Sequence, residues 1–221
     1  MDIIDKLTEI FKEFPGIGER QAKRFVYFLM SRNPAYSENL AELIKDLKKE
    51  TAQCKECFRF FIKEKARSAS SVSTICDICA NMNTDSSTLM IVEKDSDLES
   101  IRKSRVYNGK YFVLGGLVPI VEKNTKSRVR ILELQEKIKR DFGIKPASTR
   151  EDSSTRGREI ILAFSISPQG DHTDTYVRQQ LKDIADKLSI KISSLGKGLS
   201  TGTELEYSDN DTLKNALKNR Q

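Results

Sequence analysis

Two pairs of cysteines carry the strongest chemical signal in this sequence. Cys54 and Cys57 are separated by two residues, as are Cys76 and Cys79, and 18 residues lie between the pairs. This spacing is typical of a four-thiolate zinc site, because two residues between thiolates let each pair clasp one metal ion. Four thiolates leave no position open for water, so the expected role of the zinc is structural. Disulfides and free thiols are the alternative interpretations.

A glycine-rich turn followed by cations is the second chemical signal. Gly16 and Gly18, in Pro15–Gly18, let the chain turn tightly and bring backbone N–H groups toward a phosphate at the start of the next helix. Three cations just past the turn share one helical face: Arg20, Lys23 and Arg24. This arrangement predicts a helix-hairpin-helix that binds the nucleic-acid backbone without reading bases. The alternative is an ordinary corner between two helices with a solvated basic face.

Acidic side chains follow two of the predicted strands. The first group is Glu93, Asp95 and Asp97, and the second is Asp171 and Asp174. Functional groups gather at the carboxyl ends of strands in open parallel sheets, and carboxylates clustered there could hold Mg²⁺. The alternative is structural, because an acid in a first helical turn also stabilises the helix dipole or caps the helix.

The elements that must position these residues begin with three predicted helices. Apolar periodicity predicts a first helix over Ile3–Phe14 and a second that ends before Asn33-Pro34. Ser37 is the expected cap of the third helix. Its expected core face is Leu40, Leu43, Ile44 and Leu47.

The composition changes after residue 85, where strand-like and helical segments begin to alternate. The predicted strands are Thr88–Val92, Tyr111–Leu114, Glu159–Phe164 and Ile190–Ser193. This order predicts an α/β fold with a mainly parallel sheet. We therefore expect a helical region over 1–52, a four-cysteine module over 53–84, the α/β domain over 85–195 and a C-terminal tail over 196–221.

The charge is concentrated in the middle of the chain. The formal net charge is +6, yet residues 102–158 carry 15 basic and 6 acidic side chains, a local balance of +9. Such clustering suits a surface that follows phosphates, and a solvated face is the alternative. The mean hydropathy is −0.50, and neither a signal peptide nor a membrane span is recognisable. We expect a cytoplasmic protein.

Taken in order, the motifs resemble those of the bacterial RecR family of recombination mediators. The resemblance covers nearly the whole chain. Besides the cysteine pairs, it rests on Phe14–Gly18, Glu93, Tyr107–Gly116, Glu159–Ala163, Thr203–Asp209 and Thr212-Leu213.

The resemblance implies a helix-hairpin-helix, a four-cysteine zinc module, a Toprim α/β domain and a tail with an oligomer contact. It implies a bacterial, nucleoid-associated protein that forms dimeric or tetrameric rings able to encircle DNA. Such proteins act with RecO, and with RecF where present, to load RecA onto single-stranded gaps. By motif match, Gly16, Gly18 and the three cations would bind DNA, and the four cysteines would bind zinc. Glu93 and Asp171 match the Toprim acids.

Several positions depart from the family pattern. Gln169 replaces an acid, which argues against Mg²⁺ binding by two carboxylates. The spacer between the cysteine pairs is longer than usual. The segments 122–128 and 198–203 also differ from the usual glycine- and proline-rich sequences.

These observations predict a DNA-binding scaffold for recombinational repair that is not an enzyme. One alternative is a Mg²⁺-dependent Toprim nuclease or primase-like enzyme that uses Glu93 and Asp171. Another is a zinc-ribbon protein that binds RNA. Gln169 argues against the first, and the hairpin followed by a Toprim-like order argues against the second.

Overall fold

The chain forms two compact units, Met1–Ala52 and Gln53–Gln221. The computed structural model describes residues 1–63, 74–121, 128–143 and 157–196, and residue 212. The Ser-rich spacer at 68–73, part of the basic middle segment and nearly all of the tail therefore lie outside the described residues. The predictions made for those segments stay predictions.

The first unit consists of three helices: α1 (Ile3–Lys12), α2 (Glu19–Met30) and α3 (Pro34–Glu50). Ala22 and Val26 of α2 are buried, and the Phe11 ring meets the Phe25 ring edge-on with centroids 5.8 Å apart. This contact joins α1 to α2 across the hairpin.

The start of α3 differs from the prediction. Asn33, and not Ser37, caps the helix, because the Asn33 side chain accepts a hydrogen bond from the Tyr36 N–H at 2.9 Å. Pro34 occupies the first helical turn, where its missing N–H costs nothing. Ser37 therefore lies inside α3.

The predicted core face of α3 is not buried within the first unit. Leu43, Ile44 and Leu47 are 58–59% exposed, and α3 contains no buried residue. The prediction of a core face on α3 is therefore not confirmed, because apolar periodicity shows only that these side chains share one side of the helix and not that another element covers them. Ile10, Phe14 and Met30 are also more than half exposed.

The second unit contains a small hairpin followed by an α/β domain. Its strands are β1 (Thr51–Gln53, at the junction of the units), β2 (Phe60–Ile62), β3 (Asp85–Val92), β4 (Gly109–Val113), β5 (Glu159–Ala163) and β6 (Lys191–Ser194). Its helices are α4 (Asp77–Ala80), α5 (Asp95–Ser104), α6 (Ile131–Phe142) and α7 (Pro168–Leu188). None of the helices in the described ranges combines the length and apolarity that a bilayer crossing requires.

The four larger strands form one sheet in the order β4-β3-β5-β6, and every pair is parallel. Alternate residues of β3 face opposite sides: Leu89 and Ile91 join a core with α6 and α7, whereas Met90 and Val92 join a core with α5. The predicted α/β fold with a parallel sheet is confirmed.

Candidate functional site

The four cysteines lie together in the second unit. Their sulfur atoms are all within 4.8 Å of one another, and the Cys57 and Cys76 sulfurs are 3.6 Å apart. That distance is far longer than a disulfide bond, and all four residues are free thiols. It is close to the separation of about 3.8 Å expected of tetrahedral sulfurs each about 2.3 Å from one zinc ion. The cluster could therefore hold a metal ion.

Backbone groups of the cysteine segments point at one sulfur. The N–H groups of Glu56 and Cys76 both donate to the Cys54 sulfur at 3.4 Å. Hydrogen bonds from the other three thiols, first of all that of Cys57, lower the pKa of Cys54. These contacts favour the thiolate form, which binds metal, at Cys54, whereas the hydrogen bonds that Cys57 and Cys79 make with Cys54 raise the pKa of those two thiols.

The cysteine segments are attached to one edge of the sheet. The Val113 N–H donates to the Cys57 carbonyl at 2.8 Å, and the Phe60 N–H donates to Asp95 Oδ1 at 2.7 Å. The Phe58 ring packs against Phe112 with centroids 5.4 Å apart. The sequence did not predict strands β1 and β2. They form a two-stranded sheet, and Cys54 and Cys57 lie in the turn between them.

A buried ion network links the first cysteine pair to α6. Lys137 Nζ lies 2.8 Å from Asp141 Oδ2 and 3.3 Å from Glu56 Oε2, and its side chain is only 4% exposed. Burial by itself would lower the pKa of Lys137, but the hydrogen bond to Asp141 and the charges of Asp141 and Glu56 raise it. Arg140 also pairs with Glu56. Nothing in the sequence indicated this contact, because Glu56 and Lys137 are 81 residues apart.

Replacing Lys137 by methionine should destabilise the second unit. The substitution leaves Asp141 and Glu56 with fewer counterions in a buried setting, and we expect a loss of about 2–3 kcal/mol in the free energy of unfolding. Chemical denaturation measures this loss. Lys139→Met on the exposed face of the same helix is the matched control and should change stability by less than about 0.5 kcal/mol.

The same variant has an expected pH signature. Burial alone would raise the pKa of Asp141, but the hydrogen bond and charge of Lys137 outweigh it and hold the pKa below its usual value. The stabilisation is therefore present above about pH 4 and is lost as the pH falls through the lower folded-state pKa. Lys137→Met should flatten this acid dependence. An unchanged slope would show that Lys137 is not what lowers the pKa of Asp141.

The hairpin of the first unit has the backbone conformation that its glycines suggested. Gly16 adopts φ +77°, in the left-handed region that favours glycine, and the Ile17 N–H donates to the Phe14 carbonyl at 3.1 Å. Gly18 precedes α2 and provides no side-chain cap. The first N–H groups of α2 are therefore available to an anion.

The predicted cations lie next to this open helix end. Arg20, Lys23 and Arg24 are all exposed on the first turns of α2. Lys23 Nζ is 2.7 Å from Glu19 Oε1, a solvent-exposed pair that competes weakly with a phosphate. Within the described residues, neither Arg20 nor Arg24 has an ion-pair partner. The hairpin thus presents an open helix end and three cations together.

The predicted Toprim acids come to the same edge of the sheet. β3 and β5 are neighbours with Val92 opposite Ala163, so Glu93 follows one strand and α7, with Asp171 in its first turn, follows the other. Glu93 is partly buried, and its carboxylate lies 3.7 Å from Lys94 Nζ. Among the described residues, the four cysteines are the one group of three or more metal-ligating side chains in close proximity.

Two other acids near this edge have structural partners. Asp95 accepts the Phe60 N–H, as described above. Asp174 pairs with Arg178 at 2.6 Å and accepts a hydrogen bond from Ser194, so it joins α7 to β6 rather than acting on the helix dipole in the first turn. Gln169 is exposed within the first turn of α7.

A helix hairpin, a four-cysteine cluster and a parallel α/β sheet with acids at its carboxyl edge define a multi-module protein built around a Toprim domain. A Toprim family model matches residues 87–194. Two further models match, described as the RecR helix-hairpin-helix over 4–48 and the RecR C-terminal region over 198–221.

Full-length relatives agree with these matches. The chain is 30% identical to the recombination protein RecR of Amoebophilus asiaticus over 218 residues, which is 99% of this chain and 95% of the relative. The corresponding proteins of Bacteroides thetaiotaomicron and Legionella pneumophila (strain Philadelphia 1) are 32% and 31% identical, over 99% and 100% of this chain and 93% and 96% of theirs. The chain belongs to the RecR family of recombination proteins.

Proposed function

We propose that this protein is a DNA-binding recombination mediator that acts with a RecO-like partner, and with RecF where present, to promote RecA loading on single-stranded gaps. The observation that carries the proposal is the hairpin, where an uncapped helix end adjoins Arg20, Lys23 and Arg24. These groups bind phosphates, so the protein binds DNA with little sequence preference. The proposed place of action is the cytoplasmic nucleoid.

The four-cysteine module has a structural role in this proposal and holds one zinc ion per chain. The sulfur separation of 3.6 Å and the N–H groups that point at Cys54 support this assignment. The proposed modules are 1–52 for DNA binding, 53–84 for zinc, 85–195 for the Toprim domain and 196–221 for the tail.

The Toprim acids serve as a partner surface and not as a catalytic site in this proposal. Among the described residues, Glu93 and Asp171 belong to no group of three clustered metal ligands, and Asp95 and Asp174 are engaged in structural contacts. The substitution of glutamine at 169 supports the same interpretation.

Self-assembly into a dimeric or tetrameric ring is also part of the proposal. Apolar side chains on α3, and Ile10, Phe14 and Met30, are exposed on the first unit. Exposed apolar side chains of this kind favour association where they lie together. The mass of the protein in solution, measured by light scattering at several concentrations, gives the number of chains.

RecA assembly on gapped DNA coated with single-strand-binding protein tests the function. We expect this protein together with a RecO-like partner to shorten the lag before RecA filaments form. We also expect intact DNA strands after incubation with Mg²⁺. Mg²⁺-dependent cleavage that disappears in a Glu93→Gln variant would instead support the nuclease alternative.

A further inference from the structure

An acidic residue lies inside each cysteine pair, and the functions described so far assign neither of them a role at the metal site. Glu56 lies inside the first pair and Asp77 inside the second. Only two residues separate the cysteines of a pair, so a shift of the backbone at the acid also moves the thiol groups beside it. The contacts that hold each acid therefore bear on the geometry of the cluster.

The side chain of Glu56 is held by two cations of α6. Lys137 Nζ donates to Glu56 Oε2 at 3.3 Å, and Arg140 donates to the same oxygen. The Lys137 side chain is buried and that of Glu56 is only 28% exposed. Solvent screens an ion pair of this kind weakly, and removing one partner of a buried pair is costly. The carboxylate of Glu56 is thus firmly attached to α6.

The backbone of Glu56 contacts a candidate metal ligand directly. Its N–H group donates to the Cys54 sulfur at 3.4 Å. Lys137 is therefore connected to this sulfur through the carboxylate and then the backbone of Glu56. Outer contacts of this kind orient metal ligands and raise the affinity for the metal.

Lys137 occupies a fixed position because α6 is packed on the sheet. Leu134 and Ile138 of the same helix are fully buried in the core that includes Leu89 and Ile91 of β3. Asp141, one helical turn after Lys137, lies 2.8 Å from its Nζ atom. The ammonium group is therefore held from its own helix and can act as a rigid anchor for Glu56.

The acid of the second cysteine pair is held less firmly. Asp77 lies 3.4 Å from both Arg59 and Arg102, but its side chain is 58% exposed and that of Arg102 is 45% exposed. Exposed ion pairs contribute little, because water competes for both charges. The stronger anchor of the cluster is therefore the contact between Glu56 and α6.

The charge of a bound metal ion adds a second reason for the cations of α6. A zinc ion with four thiolate ligands is doubly negative overall. A carboxylate inside the first cysteine pair would be repelled by that charge if it had no counterion. Lys137 and Arg140 provide the counterions and keep Glu56 in place.

We propose that Lys137 is a positioning residue of the four-cysteine metal site. Through Glu56 it holds the turn that carries Cys54 and Cys57 in the arrangement that binds zinc, and it thereby slows the release of the ion. This role rests on the zinc ion proposed above and is independent of DNA binding. It also couples the metal site to the α/β domain, because the anchoring cation belongs to α6.

The rate of zinc release from the full chain tests this role. Zinc-loaded protein is mixed with an excess of the chromogenic chelator pyridylazoresorcinol, and the absorbance of the zinc–chelator complex follows the release. We expect Lys137→Met to release zinc about 10- to 100-fold faster than the wild type. Lys139→Met removes the same charge from the exposed face of the same helix and should release zinc at the wild-type rate.

Two further variants separate positioning from a general loss of stability. Val177→Ala leaves a cavity in the core at α7 and destabilises the same unit, yet it should release zinc within about twofold of the wild-type rate. In a Glu56→Ala background, Lys137→Met should accelerate release by less than about twofold, because the residue through which it acts is gone.

The outcomes distinguish this role from the zinc site itself. Wild-type release in Lys137→Met, equal acceleration in Val177→Ala, or full acceleration in the Glu56→Ala background would overturn the positioning role and leave the zinc site standing. A wild type that holds no zinc would refute both. If Lys137→Met does not fold, Arg140→Met decides, because Arg140 binds the same carboxylate and its side chain is 55% exposed. It should accelerate release at least about threefold.

Discussion

Replacing Cys54 by serine should abolish zinc binding and unfold the segment that carries the cysteine pairs. Cys54 is fully buried and its sulfur accepts two backbone hydrogen bonds, so its thiolate contributes to both the metal site and the local fold. Structural zinc sites of this class contribute about 10–16 kcal/mol of binding free energy, which is also folding free energy. The expected effect is therefore larger than that of any other substitution discussed above.

Metal analysis and thermal unfolding measure this effect. Purified wild-type protein should contain one zinc ion per chain, and Cys54→Ser should contain close to none and unfold at a markedly lower temperature. Lys55→Ser is the matched control, because Lys55 is exposed between the same two cysteines and its side chain is no ligand. A wild-type protein without zinc, or a serine variant with full zinc content, would be incompatible with a four-thiolate site.

Removing two hairpin cations together, in Arg20→Ala with Lys23→Ala, should weaken DNA binding at least about tenfold near 0.1 M salt. Each cation that neutralises a phosphate releases counterions. The slope of log affinity against log salt should therefore become shallower by about 1 to 2 in the double variant. Because these side chains contact phosphates, the loss should be the same for unrelated DNA sequences.

Fluorescence anisotropy with two unrelated DNA sequences, titrated at several salt concentrations, measures both quantities. Lys45→Ala with Lys48→Ala is the matched control, since it removes the same charge from exposed positions of α3 in the same unit. It should leave the slope within about 0.5 of the wild type. A double hairpin variant that behaves like this control would show that DNA binds elsewhere.

The sequence correctly predicted those features that depend on residues close together in the chain. The cysteine spacing predicted a cluster that the fold indeed assembles, and alternating strands and helices predicted the parallel sheet. Strands β1 and β2 escaped prediction because each has only three residues, too few for a periodic pattern. The cap of α3 was misplaced because serine and asparagine are both good caps, and Pro34 in the first turn decides between them.

Contacts between distant residues could not be predicted from the sequence. The pairing of Lys137 with Glu56 depends on how the cysteine segments pack against the sheet and α6. A single sequence contains no signal for that placement, because each residue alone has the pattern of an ordinary surface charge. The exposed apolar face of α3 shows the same limit. Apolar periodicity predicts that a face exists, but it does not tell whether another part of the protein packs against it.

The hydrogen bond from the Lys55 N–H to the Thr74 carbonyl, at 3.0 Å, holds the two cysteine segments side by side. A metal-bound cluster at the same place would fix both ends of the intervening segment independently of its length. Doubling the length of a closed loop costs only about 0.6 kcal/mol, which is small beside the binding energy of a structural zinc ion. We therefore expect the segment between the two cysteine pairs to tolerate insertions with little loss of stability. Its length can change during evolution, and an epitope tag or a fluorophore-binding peptide can be inserted there.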